Sequence, residues 1–406
     1  MPLAPAPFIW LDRLTTLIFS LTLCFAFCGM FLLPEGKTIL SNLLAASIVF
    51  GLLNVVVGGQ RDVGLLDRRI LWVFLGYALF ILCNRLVHGD QYGVMRSLGY
   101  VALFGLLIPR KAVLLTVSRY AIIAGGLGLG ALSLWQVHGG ITRVEGFTNA
   151  ILFSIAALML VLLCWYLCHE QQGAKWEKVL AGAALTMSLY GLYASQSRGV
   201  WLALIAVIVV RFIVRARIKP LKYMGLFVVL VVSLFLLYQQ SSVIKTRMNL
   251  GVSDLQKAEK GVYGTSWGLR LVAWQGAWQG FLTSPVLGVG TEGFDSTKQQ
   301  LVASGKSSNL LLDPALAHSH SQFMQNLFIR GAIGFIALCL FLGLPLWWGI
   351  KFGGMSSMLT LYPLAFTVSG LTDVPLEHQN VIYLYALGLL FLWVNVREQE
   401  KCRAIP

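Results

Sequence analysis

Charge is what this chain has least of. Only 12% of its 406 residues are Asp, Glu, Lys or Arg, where soluble domains carry about 25%. With 57% hydrophobic residues and a mean hydropathy of +0.75, the chain cannot cover a surface with polar groups. A soluble domain is excluded and a polytopic membrane protein is indicated. Acid is scarcer than base, 17 residues against 31, and every Asp and Glu lies outside the apolar runs. Secondary transporters instead carry charged sites near the bilayer midplane, often in repeated halves. No internal repeat is visible here, and the main basic intruders, Arg119 and Arg211, lie within snorkelling reach of one side. No Gly-x-x-x-x-Gly-Lys-Ser/Thr loop is present, so nothing points to ATP.

What the chain does have is long apolar runs. About 20 residues cross a bilayer core, and twelve such runs fall near 14–33, 38–59, 70–87, 94–109, 113–136, 147–168, 179–196, 199–214, 223–239, 331–350, 355–371 and 379–396. An even count puts both termini on one side, and the basic residues choose it. Arg13, Arg61, Arg68, Arg69, Arg110, Lys111, Lys175, Lys178, Arg215, Arg217, Lys219, Lys222, Lys351, Arg397, Lys401 and Arg403 share one face; the opposite short loops hold only Lys37, Arg85, Arg96 and Arg143. Both termini are therefore expected to be cytoplasmic. The net charge of +14 is mostly a topology signal, and no nucleic-acid partner is expected. The first run lacks a small-residue cleavage site before Pro34 and is expected to be retained as a helix.

Three regions follow: helices 1–9 within 1–239, a long outward loop over 240–330, and the last three helices and tail over 331–406. Cys24, Cys28, Cys83, Cys164, Cys168 and Cys339 lie in the runs and Cys402 in the tail, so no disulfide framework is expected. No Asp-x-Asp occurs in any outward loop. Glu292 and Asp295 are separated by a turn, and no third ligand stands out beside His318 and His320. Metal-independent chemistry without a cofactor is expected.

The long loop is too aromatic for disorder. Ser266 is a plausible N-cap, and Trp267, Leu271, Trp274 and Trp278 recur at helical spacing as one apolar face. Pro285 ends that helix, and Gly288, Gly290 and Gly293 follow as turn residues. A small helical subdomain is expected on the outer membrane face, its aromatic stripe against lipid or other helices.

Three outward positions could carry chemistry. His320 stands just upstream of Gly331-x-x-Gly334, Arg270 lies one turn before Trp274, and Arg198 sits in Ser197-Arg198-Gly199 where two runs meet. Each has a bland alternative: a hydrogen-bonding histidine at a helix start, a solvated helix arginine, a snorkelling interface arginine. Together they suit one reaction. Arginine forks match phosphate oxygens, and a histidine of pKa near 6.5 can take a proton from a hydroxyl at neutral pH. Sugar transfer from a polyprenyl pyrophosphate needs both.

The spacing His320-Ser321, nine residues, Gly331-x-x-Gly334 resembles the signature of the bacterial O-antigen ligases. Arg270-x-x-x-Trp274-x-x-Ala277-x-x-x-Phe281-x-x-x-Pro285-x-x-Gly288-x-Gly290-x-x-x-Phe294 is similar to the periplasmic-loop motif of the O-antigen ligase and polymerase superfamily, and Ser197-Arg198-Gly199 to its upstream motif. Asp373 matches an acidic position of the family's ligases. The resemblance implies an all-α fold of the C-type glycosyltransferase kind with twelve transmembrane helices in the bacterial inner membrane. It implies an undecaprenyl-pyrophosphate-linked glycan as donor and the lipid A-core oligosaccharide as acceptor, on the periplasmic side. His320 would be the general base, with Arg198 and Arg270 on the donor pyrophosphate. His318, Asp373 and Trp274 are further substrate-binding candidates. Arg330 could touch lipid phosphate or anchor its helix, and anchoring is favoured. A polymerase or a protein O-oligosaccharyltransferase would use similar groups on another acceptor.

Overall fold

A computed structural model describes residues 6–60, 62–169 and 173–403. Arg61 lies outside the described residues, as do the side chains of Arg397, Lys401, Cys402 and Arg403. The described residues are mostly helical. In order come α1 (Ala6–Cys24) with a π-helical turn (Phe25–Gly29), α2 (Gly36–Val56), α3 (Arg69–His88), α4 (Tyr92–Leu107), α5 (Ala112–His138), α6 (Ala150–His169) and α7 (Lys175–Ala194). Then follow α8 (Arg198–Ala216), α9 (Pro220–Gln240), α10 (Ser242–Glu259), α11 (Ser266–Thr283), α12 (Gly293–Ala303), α13 (Gln322–Gly353), α14 (Met358–Ser369) and α15 (Gln379–Arg403).

Each expected apolar run falls on a helix, α1 to α9 or α13 to α15. Eight helices are long and apolar enough to cross a bilayer, while α4 and α14 are apolar but shorter. The protein is an all-α polytopic membrane protein. Helix α6 is buried on every side from Leu152 to Cys164, as expected of an element apolar all round. It packs against α5, α7, α8, α14 and α15 at the centre of the bundle.

Connections alternate between two ends. At one end Arg110 pairs with Asp62 at 3.2 Å, Trp393 Nε1 donates to Asp67 O at 3.1 Å, and Arg211 Nη1 donates to Ser356 O at 2.9 Å. Arg119 also finds its partner there, Glu177 at 3.1 Å. The other end gathers the loops after α3, α5, α7 and α14 together with the long segment between α9 and α13.

Within that segment α11 is capped by Thr265, whose Oγ1 accepts from Gly268 N at 3.1 Å, one residue earlier than Ser266. Its protein-facing side is Gly268, Val272, Ala273, Gly276, Ala277 and Gly280, not the tryptophan stripe. Small residues win that face because the neighbours come so close. A Cβ at Gly276 would lie 2.5 Å from Leu311, and one at Gly280 2.1 Å from Phe328. Trp278 is left 48% exposed. Gly293 opens α12 rather than lying in a turn.

Helix α13 starts at Gln322, earlier than the expected 331, and is broken at Gly331 (φ 60°, ψ −160°). The break has a use. Phe328 O and Ile329 O accept from Val289 N and Gly290 N at 3.0 Å each, while Ala332 N and Ile333 N donate to Pro285 O at 2.8 Å and Val286 O at 3.3 Å. At the break the helical ladder is thus replaced by four hydrogen bonds with the turn after α11. Gly288 (φ 73°) sits against the backbone of Ile329, Arg330 and Gly331, where no side chain would fit. The two glycine motifs are one joint, and it fixes the helix of Arg270 to the segment that follows His320.

Candidate active site

His318 and His320 lie between a short 3₁₀ turn (Pro314–Leu316) and the start of α13. Ser319 N donates to Gln325 Oε1 at 2.8 Å, and His320 is held at a left-handed φ of 48°. In that pose His320 N donates to His318 Nδ1 at 3.2 Å, and the rings meet edge to face with centroids 4.3 Å apart. His320 Nε2 contacts Ala315 O at 3.0 Å. A carbonyl only accepts, so Nε2 carries the proton and Nδ1 keeps its lone pair in the neutral ring. That Nδ1 is buried without a protein partner.

Asp373 arrives from the loop between α14 and α15. Its Oδ1 lies 3.8 Å from His318 Nε2 and is likewise buried without a hydrogen bond. The loop is seated by Gln322, whose N–H donates to Gly370 O at 2.7 Å and Asp373 O at 2.9 Å. It is also seated by Gly199, where an added Cβ would fall 2.1 Å from Thr372 Oγ1. The glycine of Ser197-Arg198-Gly199 therefore brings Arg198 beside the aspartate loop.

Burial pulls the His318 ring down to about 4, against the opposing field of Asp373. Burial also lowers His320; its bond to Ala315 and the charge of Asp373 oppose this, while Arg270 adds to it. Both imidazoles are neutral at pH 7. His320 Nδ1 is left buried without a hydrogen-bond partner.

Sequence spacing offered no third ligand beside the two histidines, yet Asp373 completes a trio whose candidate donor atoms lie within 4.8 Å of one another. A metal bound there through His318 Nε2 would need that atom's lone pair. The proton would then move to Nδ1 and break the bond donated by His320 N. The trio's hydrogen bonds suit proton handling better than metal binding.

Arg270 makes no hydrogen bond or ion pair among the described residues. Burial lowers its pKa, Asp373 opposes this, and the charge of Arg198 lowers it further. Arg198 Nη2 reaches Asp254 Oδ2 at 3.4 Å, and its Nη1 donates to Arg247 O at 3.3 Å. Trp274 packs edge-on against Trp267 with centroids 5.8 Å apart, and its indole N–H is buried without an acceptor. His320, His318, Asp373, Arg270 and Arg198 are thus assembled from segments far apart in the chain.

Arg330 is not among them. Its guanidinium has no exposed surface and donates to Asp90 at 2.7 and 2.8 Å, to Glu377 at 2.9 Å and to Asn326 at 3.1 Å. It reaches no lipid phosphate, and it anchors more than its own helix. The network ties the loop after α3 and the loop carrying Asp373 to the first limb of α13. Burial works against the charge on Asp90, but Arg330 and the bonds from Gln91 and Asn84 hold the carboxyl below the ordinary range.

Sequence reasoning passed over Asp90, Glu377 and His378, and counted Arg143 for topology alone. It did not single out Arg247 or Gln196. Apart from Gln196, which directly precedes Ser197-Arg198-Gly199, none has a motif around it. Only the pairing of outward loops brings them together.

Residues 183–339 match the Wzy_C family, described as O-antigen ligase. The chain is also similar to an uncharacterized protein of Haemophilus influenzae, 23% identical over 356 residues, covering 84% of this chain and 86% of that protein.

Proposed function

We propose that this chain, which is similar over residues 183–339 to the O-antigen ligase family, transfers a glycan from undecaprenyl pyrophosphate to a sugar hydroxyl of the lipid A-core. The reading carries the basic loops on the cytoplasmic side of the inner membrane, with both termini, and the histidine site on the periplasmic side. One observation carries it above the rest: the unpartnered lone pair of His320 Nδ1 beside the guanidinium of Arg270.

The acceptor hydroxyl gives its proton to His320 Nδ1 as its oxygen bonds to the anomeric carbon. The bond from that carbon to the pyrophosphate oxygen breaks, and the electron pair leaves with undecaprenyl pyrophosphate. Arg198 and Arg270 neutralise the departing charge, donating to oxygens where negative charge grows. Asp373 faces the His318–His320 pair and stabilises the imidazolium that forms, which then returns its proton to water. With His320 as the base and Asp373 committed to the histidine pair, a single displacement with inversion follows. The reaction requires no metal.

The acceptor is tested in a bacterial strain lacking its own ligase. Expression of this chain should restore a high-mass lipopolysaccharide ladder on a gel. His320→Ala, Arg198→Gln and Arg270→Gln should leave bare core with lipid-linked glycan accumulating. A change in ladder length alone would make the chain a polymerase, and a product of retained anomeric configuration would overturn the single displacement.

A further inference from the structure

The end of the molecule that holds His320 contains more arginine than the motif residues account for. Arg143 comes from the loop between α5 and α6 and Arg247 from α10, and both lie close enough to Arg198 for the charges to bear on one another. Arg143 also feels Arg270. Four guanidinium groups from four segments share one corner. Against them stand Asp254, paired with Arg198 at 3.4 Å, Glu145, whose charge favours Arg143, and Asp373, whose charge favours Arg270.

The corner is built, not incidental. Gln196, between two of these segments, takes a left-handed backbone at φ 54°, a conformation unfavourable without a glycine. In that pose its Oε1 accepts from Arg247 Nε at 2.9 Å and Nη2 at 2.7 Å, and its Nε2 donates to Thr142 O at 2.5 Å. Arg143 Nε donates to Ser195 O at 3.2 Å. One glutamine thus clamps Arg247 to the loop that carries Arg143. Glycine clears the remaining space: a Cβ at Gly251 would lie 3.0 Å from Arg198 Nη1. Arg143 Nη1 and Nη2 have no protein acceptor among the described residues, and neither has any nitrogen of Arg270. Like charges held together with free donors form a site for a polyanion.

We propose that Arg143 and Arg247 complete, with Arg198 and Arg270, a four-guanidinium site for the pyrophosphate of an isoprenoid-linked donor, and that Gln196 is its positioning residue. This rests on the donor reading given above. Two phosphates present more oxygens than two arginines can engage, and the added pair supplies donors for the second phosphate. Gln196 holds Arg247 by two hydrogen bonds and the loop of Arg143 by one, so its loss should loosen both arginines.

The test is a titration of geranyl pyrophosphate into the full chain, purified into phosphatidylcholine nanodiscs. Arg143→Gln and Arg247→Gln should each raise Kd at least about 10-fold, a typical effect for a charged hydrogen-bonding group. Gln196→Ala should raise it less, and less than additively with Arg247→Gln, since the two share a pair of hydrogen bonds. Arg13→Gln, exposed at the opposite end, should change nothing, and thermal melts should report every variant folded. If Arg247→Gln does not fold, Arg247→Lys keeps the charge but loses the paired bonds to Gln196. An unchanged Kd in that variant overturns the proposal. So does wild-type affinity in Arg143→Gln and Arg247→Gln while Arg198→Gln loses binding, a result that leaves the donor reading intact. No binding by the wild type would remove the donor reading itself. Loss of binding when phosphatidylglycerol enters the nanodisc would assign the corner to phospholipid headgroups and also overturn the proposal.

Discussion

Two groups of arginines at the same end of this protein have opposite fates. Arg330 has no exposed surface and is matched by Asp90 and Glu377 at 2.7 to 2.9 Å. Arg143, Arg198, Arg247 and Arg270 are partly open, crowd one another, and have a single direct carboxylate partner among the described residues, Asp254 at 3.4 Å. A charge that serves the fold is satisfied inside the chain, because a buried unpaired ion costs several kcal/mol. A surplus of charge of one sign, left partly open, attracts a ligand of the other sign. The first group assembles the platform that the second group uses.

That contrast can be broken from either side. The largest effect should come from Arg330→Met, which strands the carboxylates of Asp90 and Glu377 in a site closed to water. A loss of about 3–5 kcal/mol is expected, visible as failure to recover monodisperse protein after membrane extraction. Recovery at the wild-type melting temperature would mean that the network carries no fold. Next in size, Arg270→Gln should leave the melting temperature unchanged while transfer falls about 10²- to 10³-fold, as on loss of a donor aimed at developing charge. Salt should separate the two groups more gently. The Debye length shortens from about 10 Å at 0.1 M to about 3 Å at 1 M. Donor KM should therefore rise several-fold over that range, while the melting temperature moves little. A KM indifferent to salt would deny the open cluster its role.

A last effect concerns pH and stability. The folded His318 ring titrates near 4, while the unfolded group titrates near 6.5. Its depressed pKa costs nothing at pH 7, where both states are neutral. As pH falls below 6.5 the unfolded chain takes up the proton first, so stability declines down to about pH 4 and then levels. His318→Asn should flatten that part of a melting-temperature profile, and an unchanged slope would show that other groups dominate acid sensitivity.

How much of this could be read from the residues varies with distance along the chain. Helices were legible because apolar run length is a local property, and each of the twelve runs falls on a helix. The α11 register was legible only in part, since the tryptophan stripe was expected against lipid or other helices, and it is Gly276, Ala277 and Gly280 that take the face against protein. Bulk identifies an apolar stripe, but closeness of approach decides which stripe meets protein. His320, Arg270 and Arg198 stood out because each sits in a local motif. Asp90 lies 240 residues from Arg330, and Gln196 51 residues from Arg247. Pairings at that range leave no local mark in one sequence. The positive φ of His320, which frees Nδ1, had no glycine to announce it.

The account turns on His320 Nδ1 as the base that activates the acceptor. The direct measurement is the rate of glycan transfer from an isoprenoid-pyrophosphate donor to a core-sugar acceptor by the purified chain, followed across pH 4.5 to 8. A general base works only when deprotonated, and burial holds His320 below its ordinary range. The wild-type rate should therefore fall on an acid limb below pH 6.5. Folded His320→Ala should be about 10²- to 10⁴-fold slower and should lack that limb. A His320→Ala enzyme that transfers glycan at the wild-type rate, with the limb intact, would contradict the account.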